Sequence, residues 1–221
     1  MVSRKANSSS SGRGTGEDSG RERQVGKRAK PPLTEAALRD LALHYAARFA
    51  TTAARLEAYL VRKIRERGLA DDGNGRTVDL DIPALVARLV ELGYVDDDAY
   101  ARMRARDLGA RGYGARRVDE SLRHAGVGEA LRQSHAPGEA ASRQAAVLMA
   151  KKRRLGPFGG SRPQGDDPLL ARKAHEKAVA AMLRAGHHYD HVRFVLAAAS
   201  EQDVEQWLDE AADQEGHQGL W

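Results

Sequence analysis

The sequence predicts an all-α protein, and three observations carry that prediction. Alanine and leucine supply most of the apolar content, and aromatic residues are only 5% of the chain. That mix favours helix over strand. Apolar residues recur at helical spacing through most of residues 34–199. No run alternates convincingly; the best strand candidate, Thr77-Val78-Asp79-Leu80, is short and acidic.

The elements follow in order. Residues 1–32 are rich in Ser, Gly, Arg and Lys and end in Pro31-Pro32. Too little apolar surface is present to offset ordering entropy, which predicts a disordered basic arm. Order is expected to begin near Leu33-Thr34-Glu35. Leu56, Leu60 and Ile64 lie four apart on one helix face. Leu85, Leu89 and Leu92 form the next stripe, opening after Pro83 and closing at Gly93 as a left-handed cap. Asp96, Asp97 and Asp98 supply an N-cap and first-turn acids for a helix carrying Tyr100 and Met103. Val118 and Leu122 mark a helix starting after Gly114. Ala141, Ala145, Leu148 and Met149 mark another. Val192, Val195, Leu196 and Ala199 fit the i, i+3, i+4, i+7 template. Two stretches interrupt: a polar insertion near 69–81 containing ADDGNGR, and a Pro/Gly linker over 156–167 expected to be mobile.

A faint internal repeat runs through these helices. Leu60–Ile64–Gly68, Val118–Leu122–Gly126 and Ala178–Met182–Gly186 share one spacing. Either these are three units of a helical array, in which neighbours bury what one unit cannot, or glycine is simply how many helices end. The expected organisation is the arm 1–32, a first module 33–95, a central module 96–136, a third module 137–200 and an acidic tail 201–221.

Charge is unevenly spread. The net charge of +5 resolves into +5 over residues 1–30, +7 over 31–200 and −7 over 201–221. A basic arm and body with an acidic tail suggest an electrostatic partner. The chain has no cysteine, hence no disulfide or thiolate metal site. No apolar run approaches the roughly 18 residues that span a bilayer, and no secretory h-region opens the chain. The expectation is a cytoplasmic protein with no membrane partner.

The chemistry-bearing residues concentrate at 92–127. Arg102, Arg104, Arg106, Arg111, Arg116 and Arg117, against Asp107, place five net positive charges within sixteen residues. Guanidinium forks suit phosphates and carboxylates. Arg116 and Arg117 fall in the first turn of a helix, a poor place for cations unless something anionic is met there. A binding role is therefore preferred to a solvated face with ion pairs to Asp119 and Glu120. Gly112 and Gly114 allow backbone angles closed to other residues. Tyr113 between them either stacks on a partner or plugs the junction of two helices, and the plug is preferred. Gly93-Tyr94-Val95-Asp96-Asp97 reads as helix stop, apolar lock and helix start.

His187 and His191 have the i, i+4 spacing of metal ligands, with Asp190 nearby. The general-base glutamate of the zincin order is missing, so a water-facing histidine cluster is preferred and no metal is predicted. Lys151-Lys152-Arg153-Arg154 reads as the basic end of a helix. The acidic tail reads as a solvated, fraying helix as readily as a site, or as a segment that folds back onto the basic body and competes with its partner. No Ser-His-Asp or Cys-His arrangement and no Walker loop is legible. No catalytic residue and no cofactor is predicted.

With those residues in view, LVELGYVDDDAYARMRARDLGARGYGARRVDESLRHAGV at 89–127 resembles the RecX family, bacterial regulators of the RecA recombinase. The shared order is a glycine-tyrosine turn with two acids, a basic helix, Gly-Tyr-Gly with paired arginines, and a leucine helix ending in glycine. The resemblance places Gly93, Tyr94, Asp96, Asp97, Arg106, Gly112, Tyr113, Gly114 and Arg117 on the motif; Gly126 closes its last helix. It implies an elongated, curved array of tandem three-helix modules. It also implies a non-enzymatic monomer that binds the RecA–DNA filament and inhibits recombinase and ATPase activity in DNA repair and recombination. Single- or double-stranded DNA would be a weaker direct partner. The alternatives are a stand-alone nucleic-acid-binding helical protein acting without RecA, and a metal enzyme using His187 and His191. The chain departs from the family pattern at the 69–81 insertion, the 156–167 linker, His187 (where an apolar residue is expected) and the basic arm.

Overall fold

The computed structural model describes residues 31–71, 80–159 and 168–218. The basic arm up to residue 30, most of the 69–81 insertion with Thr77-Val78-Asp79, and most of the 156–167 linker lie outside the described residues. The described chain is all-α, with ten α-helices and one isolated parallel bridge between Leu33 and Leu69.

The helices fall in threes. Helices α1 (Glu35–Arg48), α2 (Ala53–Arg67) and α3 (Ile82–Glu91) close over Leu38, Leu56, Leu60, Val86 and Leu89. Helices α4 (Asp97–Ala110), α5 (Ala115–His124) and α6 (Glu129–Ser134) close over Tyr100, Leu108, Val118 and Leu122. Helices α7 (Glu139–Arg153), α8 (Pro168–Arg184) and α9 (Tyr189–Ala197) close over Ala146, Met182, Val192 and Val195. Each large apolar side chain buried this way contributes about 1.5–3 kcal/mol. Starts are set by side-chain caps at Thr34, Thr52, Asp81 and Asp96, each accepting a backbone N–H three residues on. Such caps contribute about 1 kcal/mol apiece.

Several stripes are shifted from the sequence expectation. Leu92 is half exposed and caps α3 instead of facing the core; Val86 takes that place. Met103 is exposed while Tyr100 is buried. Ala141 is exposed, and α9 stops at Ala197, two residues short of Ala199. Between α3 and α4 the apolar lock is Val95, buried, not Tyr94, which is 54% exposed. The 156–167 linker opens in a packed 3-10 turn, Gly156–Gly159, whose first glycine abuts the Val195 carbonyl.

A tenth helix, α10 (Glu201–Gln218), shows the tail folded back onto the body and corrects the alternative of a solvated, fraying helix. It lies on α7 through Val204, Trp207 and Ala211, all buried. The Trp207 ring stacks on Phe194 at 4.4 Å and carries the Arg143 guanidinium 4.6 Å from its centroid. At the far end Glu215 accepts the Ala140 N–H at 2.9 Å. It thereby caps α7, whose own N-cap residue, Gly138, has no side chain to do so.

The repeated glycines have a second task. Gly68, Gly126 and Gly186 all have positive φ and end α2, α5 and α8. Two of them also join one trio to the next. At Gly126 a Cβ would collide with Ala54 in the first turn of α2, and the Thr52 hydroxyl donates to the Ala125 carbonyl. Asp97 completes this joint by accepting the Ala53 N–H at 2.9 Å. At Gly186 a Cβ would collide with Arg117 in the first turn of α5. The Gly114 N–H donates to the Ala185 carbonyl at 2.9 Å and the Arg116 N–H to the Gly186 carbonyl at 3.2 Å. So α8 ends on the start of α5, and α5 ends on the start of α2. At the α8–α5 joint, orphan carbonyls meet orphan N–H groups directly, while at the α5–α2 joint the Thr52 hydroxyl and the Asp97 carboxylate mediate.

Candidate interaction surface at the central joint

The six arginines of the sequence cluster do not form one patch. Arg102 pairs with Asp98 at 2.5 Å. Arg104 reaches Asp107 at 3.2 Å and the Ser121 hydroxyl at 3.0 Å. Arg111 lies 3.6 Å from Asp107, with its guanidinium 5.5 Å from the Tyr113 ring centroid. Arg117 pairs with Glu120 at 2.5 Å. Asp119 is taken by Arg123 and Arg132 instead. Arg106 and Arg116 are exposed and pair with no carboxylate of the described residues. The pairs around them are mostly half exposed and screened by solvent, so an external anion can exchange with them.

The first turn of α5 does meet something negative, though not through its arginine side chains. Its N–H groups face the carbonyl end of α8, as described above. This leaves the Arg116 and Arg117 side chains to an open groove of about 750 Å³ between α5, α6 and the α8–α9 turn. Arg123, Arg132, Arg184 and His188 line the same groove, with Asp119 and Glu120 the acids. Burial pushes the Asp119 carboxyl upward, but hydrogen bonds from Arg132 and Arg123 outweigh it and hold the group below its ordinary range. Arg184, like Arg116, is exposed and without a carboxylate partner among the described residues.

Sequence reasoning missed Arg123, Arg132 and Arg184, and placed His188 in the histidine cluster with His187 and His191, apart from the arginines. Arg184 lies far from the cluster along the chain. The available signal was the glycine repeat, because Gly186 against α5 brings Arg184 with it. The basic run Lys151-Lys152-Arg153-Arg154 is indeed a helix end, and it reaches the cluster too: Lys152 donates to the Arg111 carbonyl at 3.2 Å.

On the other side of the α5 start, a smaller cleft of about 360 Å³ lies between α4 and α7. Arg106, Tyr113 and His135 line it, and Ala115 is shared with the larger groove. Tyr113 is half buried against the second core cluster, at the junction of α4 and α5, and its ring walls the cleft. The two flanking glycines act differently. Gly112 has φ +85° and sits on the α7 backbone. Gly114 has φ −79°, open to any residue; it is needed because a Cβ would strike the Gly186 carbonyl. The expectation of unusual backbone angles at both is corrected at Gly114.

The histidines are not a water-facing cluster. His187 and His191 are buried, and only His188 is exposed. His187 Nε2 donates across the joint to the Gly112 carbonyl at 3.2 Å, while His191 Nε2 donates to Glu139 at 3.1 Å. The i, i+4 pair thus serves two different acceptors. Burial depresses His187 to about 4, the Gly112 bond opposing and the neighbouring histidines assisting. The residue that broke the apolar pattern is a neutral core histidine tying two trios together.

Fold and surface define a modular all-α protein built on a repeated three-helix unit, with arginines gathered around its central joint. No family model matches the chain. The regulatory protein RecX of Myxococcus xanthus (strain DK1622) is 35% identical over 163 residues, covering 72% of this chain and 83% of that protein. The chain belongs to the RecX family of regulatory proteins. The crystal structure of RecX from Lactobacillus salivarius shares its fold, with a TM-score of 0.54 at 18% identity, over 79% of this chain and 96% of that one. Among the described residues no helix is long and apolar enough to cross a membrane.

Proposed function

We propose that this chain is a non-enzymatic regulator that binds the RecA–DNA filament and inhibits its recombinase and ATPase activity. In this reading it acts as a cytoplasmic monomer in DNA repair and recombination, with free DNA a weaker partner. The observation that carries the proposal is membership of the RecX family through a relative named a regulatory protein. The surface supports it. Arg106, Arg116 and Arg184 are exposed cations without carboxylate partners among the described residues, around a joint fixed by backbone contacts. A rigid series of modules sums weak contacts along a repeating polymer at high effective concentration. Inhibition then needs no active site on this chain. The test is RecA's single-stranded-DNA-dependent ATPase titrated with the protein, beside free-DNA binding at the same salt. Inhibition at levels too low to coat the DNA supports the proposal. Inhibition only at DNA saturation overturns it in favour of a plain nucleic-acid binder.

A further inference from the structure

We infer that the cleft between α4 and α7 is a docking site for an acidic peptide segment anchored by one large apolar side chain. The inference deepens the filament reading and rests on it for the source of that segment. The floor is made of small residues: Ala105, Gly109, Ala141 and Ala145. Tyr113 and Leu148 supply apolar walls. An opening of about 360 Å³ with so little side chain on its floor admits a leucine- or phenylalanine-sized group.

Charge decides what flanks that group. Among the described residues no carboxylate lines the cleft. Arg106 stands in it exposed, with no carboxylate partner among the described residues. Lys152, one turn beyond Leu148, holds the Arg111 carbonyl. Arg111 itself lies over the Tyr113 ring. The nearest acids are already engaged: Asp98 with His135 and Arg102, Asp107 with Arg104 and Arg111. A carboxylate beside an apolar anchor therefore meets the Arg106 guanidinium in the cleft, with Arg111 over the Tyr113 wall and Lys152 beyond Leu148.

Polarity decides between a peptide and a nucleobase. His135 Nε2 is committed to Asp98 at 2.6 Å, and the Ser142 hydroxyl donates to the Pro137 carbonyl. That leaves the Arg106 guanidinium, which only donates, and the Tyr113 hydroxyl and Gln144 amide as the main free groups of the walls. A base edge, with several donors and acceptors, would be desolvated there without enough partners, at a cost for each unpaired group. A hydrocarbon side chain incurs no such cost.

The test uses the full chain and a fluorescein-labelled peptide, Asp-Glu-Phe-Glu-Asp, read by anisotropy at low salt. The inference expects saturable binding. Binding weakens at least about ten-fold when the central residue is alanine or when Ala141→Phe fills the cleft. It weakens about three-fold with Arg106→Ala. Amide shifts in the unaltered chain, centred on Ala105, Gly109 and Ala145, locate the site independently of any variant. Absent binding, equal binding of both peptides, shifts centred elsewhere, or displacement by an oligothymidylate of equal charge each overturns the inference. RecA ATPase separates the two claims. Undiminished inhibition by Ala141→Phe, with peptide binding lost, keeps the filament reading and removes the cleft from it. No inhibition by the unaltered chain, with peptide bound, sinks the filament reading alone.

Discussion

His187 and Gly114 meet at the central joint, and each makes its own prediction. His187 is neutral in the fold because its buried site depresses it to about 4, whereas in the unfolded chain it titrates near its ordinary value of about 6.5. Between those values the unfolded state binds more protons. Stability is therefore full above about pH 6.5 and declines as pH falls toward 4. Urea unfolding should show about 2 kcal/mol less stability at pH 5 than at pH 7 from this group alone. His187→Leu should flatten that dependence; an unchanged pH profile in the variant would refute the assignment. Gly114 is held by space, not by angle, so Gly114→Ala should cost about 1–3 kcal/mol through overpacking against Gly186. Gly109→Ala, inside α4 and facing open space, should instead be neutral or stabilise by up to about 1 kcal/mol. Equal cost at the two sites would contradict the joint. The sequence pointed to His187 as an anomaly but not to its cause, because its partner, Gly112, is 75 residues away.

At the scale of elements, α10 makes the clearest claim. Seven carboxylates and no Lys or Arg over 201–221 made this stretch read either as solvent-facing or as folding back by charge alone. Yet Val204, Trp207 and Ala211 lie along one face and are buried. Trp207→Ala should remove about 3–5 kcal/mol of docking, releasing α10 while the three trios stay folded. Hydrogen exchange should then speed up over 201–218 and leave α2 and α5 protected. Protection lost across the whole chain would mean that α10 is integral to the core. Most helices were legible because their stripes are local and the Asp96 cap and the glycine ends announce themselves; the caps at Thr52 and Asp81 were not read, and α3 opens at Ile82, ahead of Pro83. The stripe errors at Leu92, Met103 and Ala141 have one physical origin. Each lies at a helix end or on a face turned to solvent, where spacing alone does not reveal which side packs.

For the whole molecule, the glycine repeat proved the more informative reading. The same Gly126 and Gly186 that end α5 and α8 seat them on α2 and α5, so one residue pattern encodes both stop and stacking. The candidate surface was only half legible. Arg106, Arg116 and Arg117 were visible as a local run, but Arg184 arrives through the fold, and Asp98 and Glu120 neutralise more of the cluster than Asp107 alone suggested. Arg106→Glu combined with Arg117→Glu should weaken filament inhibition several-fold while leaving helicity unchanged, since both side chains are exposed. Unchanged inhibition at physiological salt would remove the joint from the binding surface. The central claim, that the chain regulates a filament and does not merely coat DNA, meets its most direct test in RecA's single-stranded-DNA-dependent ATPase. That activity should be titrated with the chain at two salt concentrations, with free-DNA binding in parallel. The account predicts inhibition well below the level that saturates the DNA, weakening as salt rises. Inhibition that only tracks DNA saturation would contradict it.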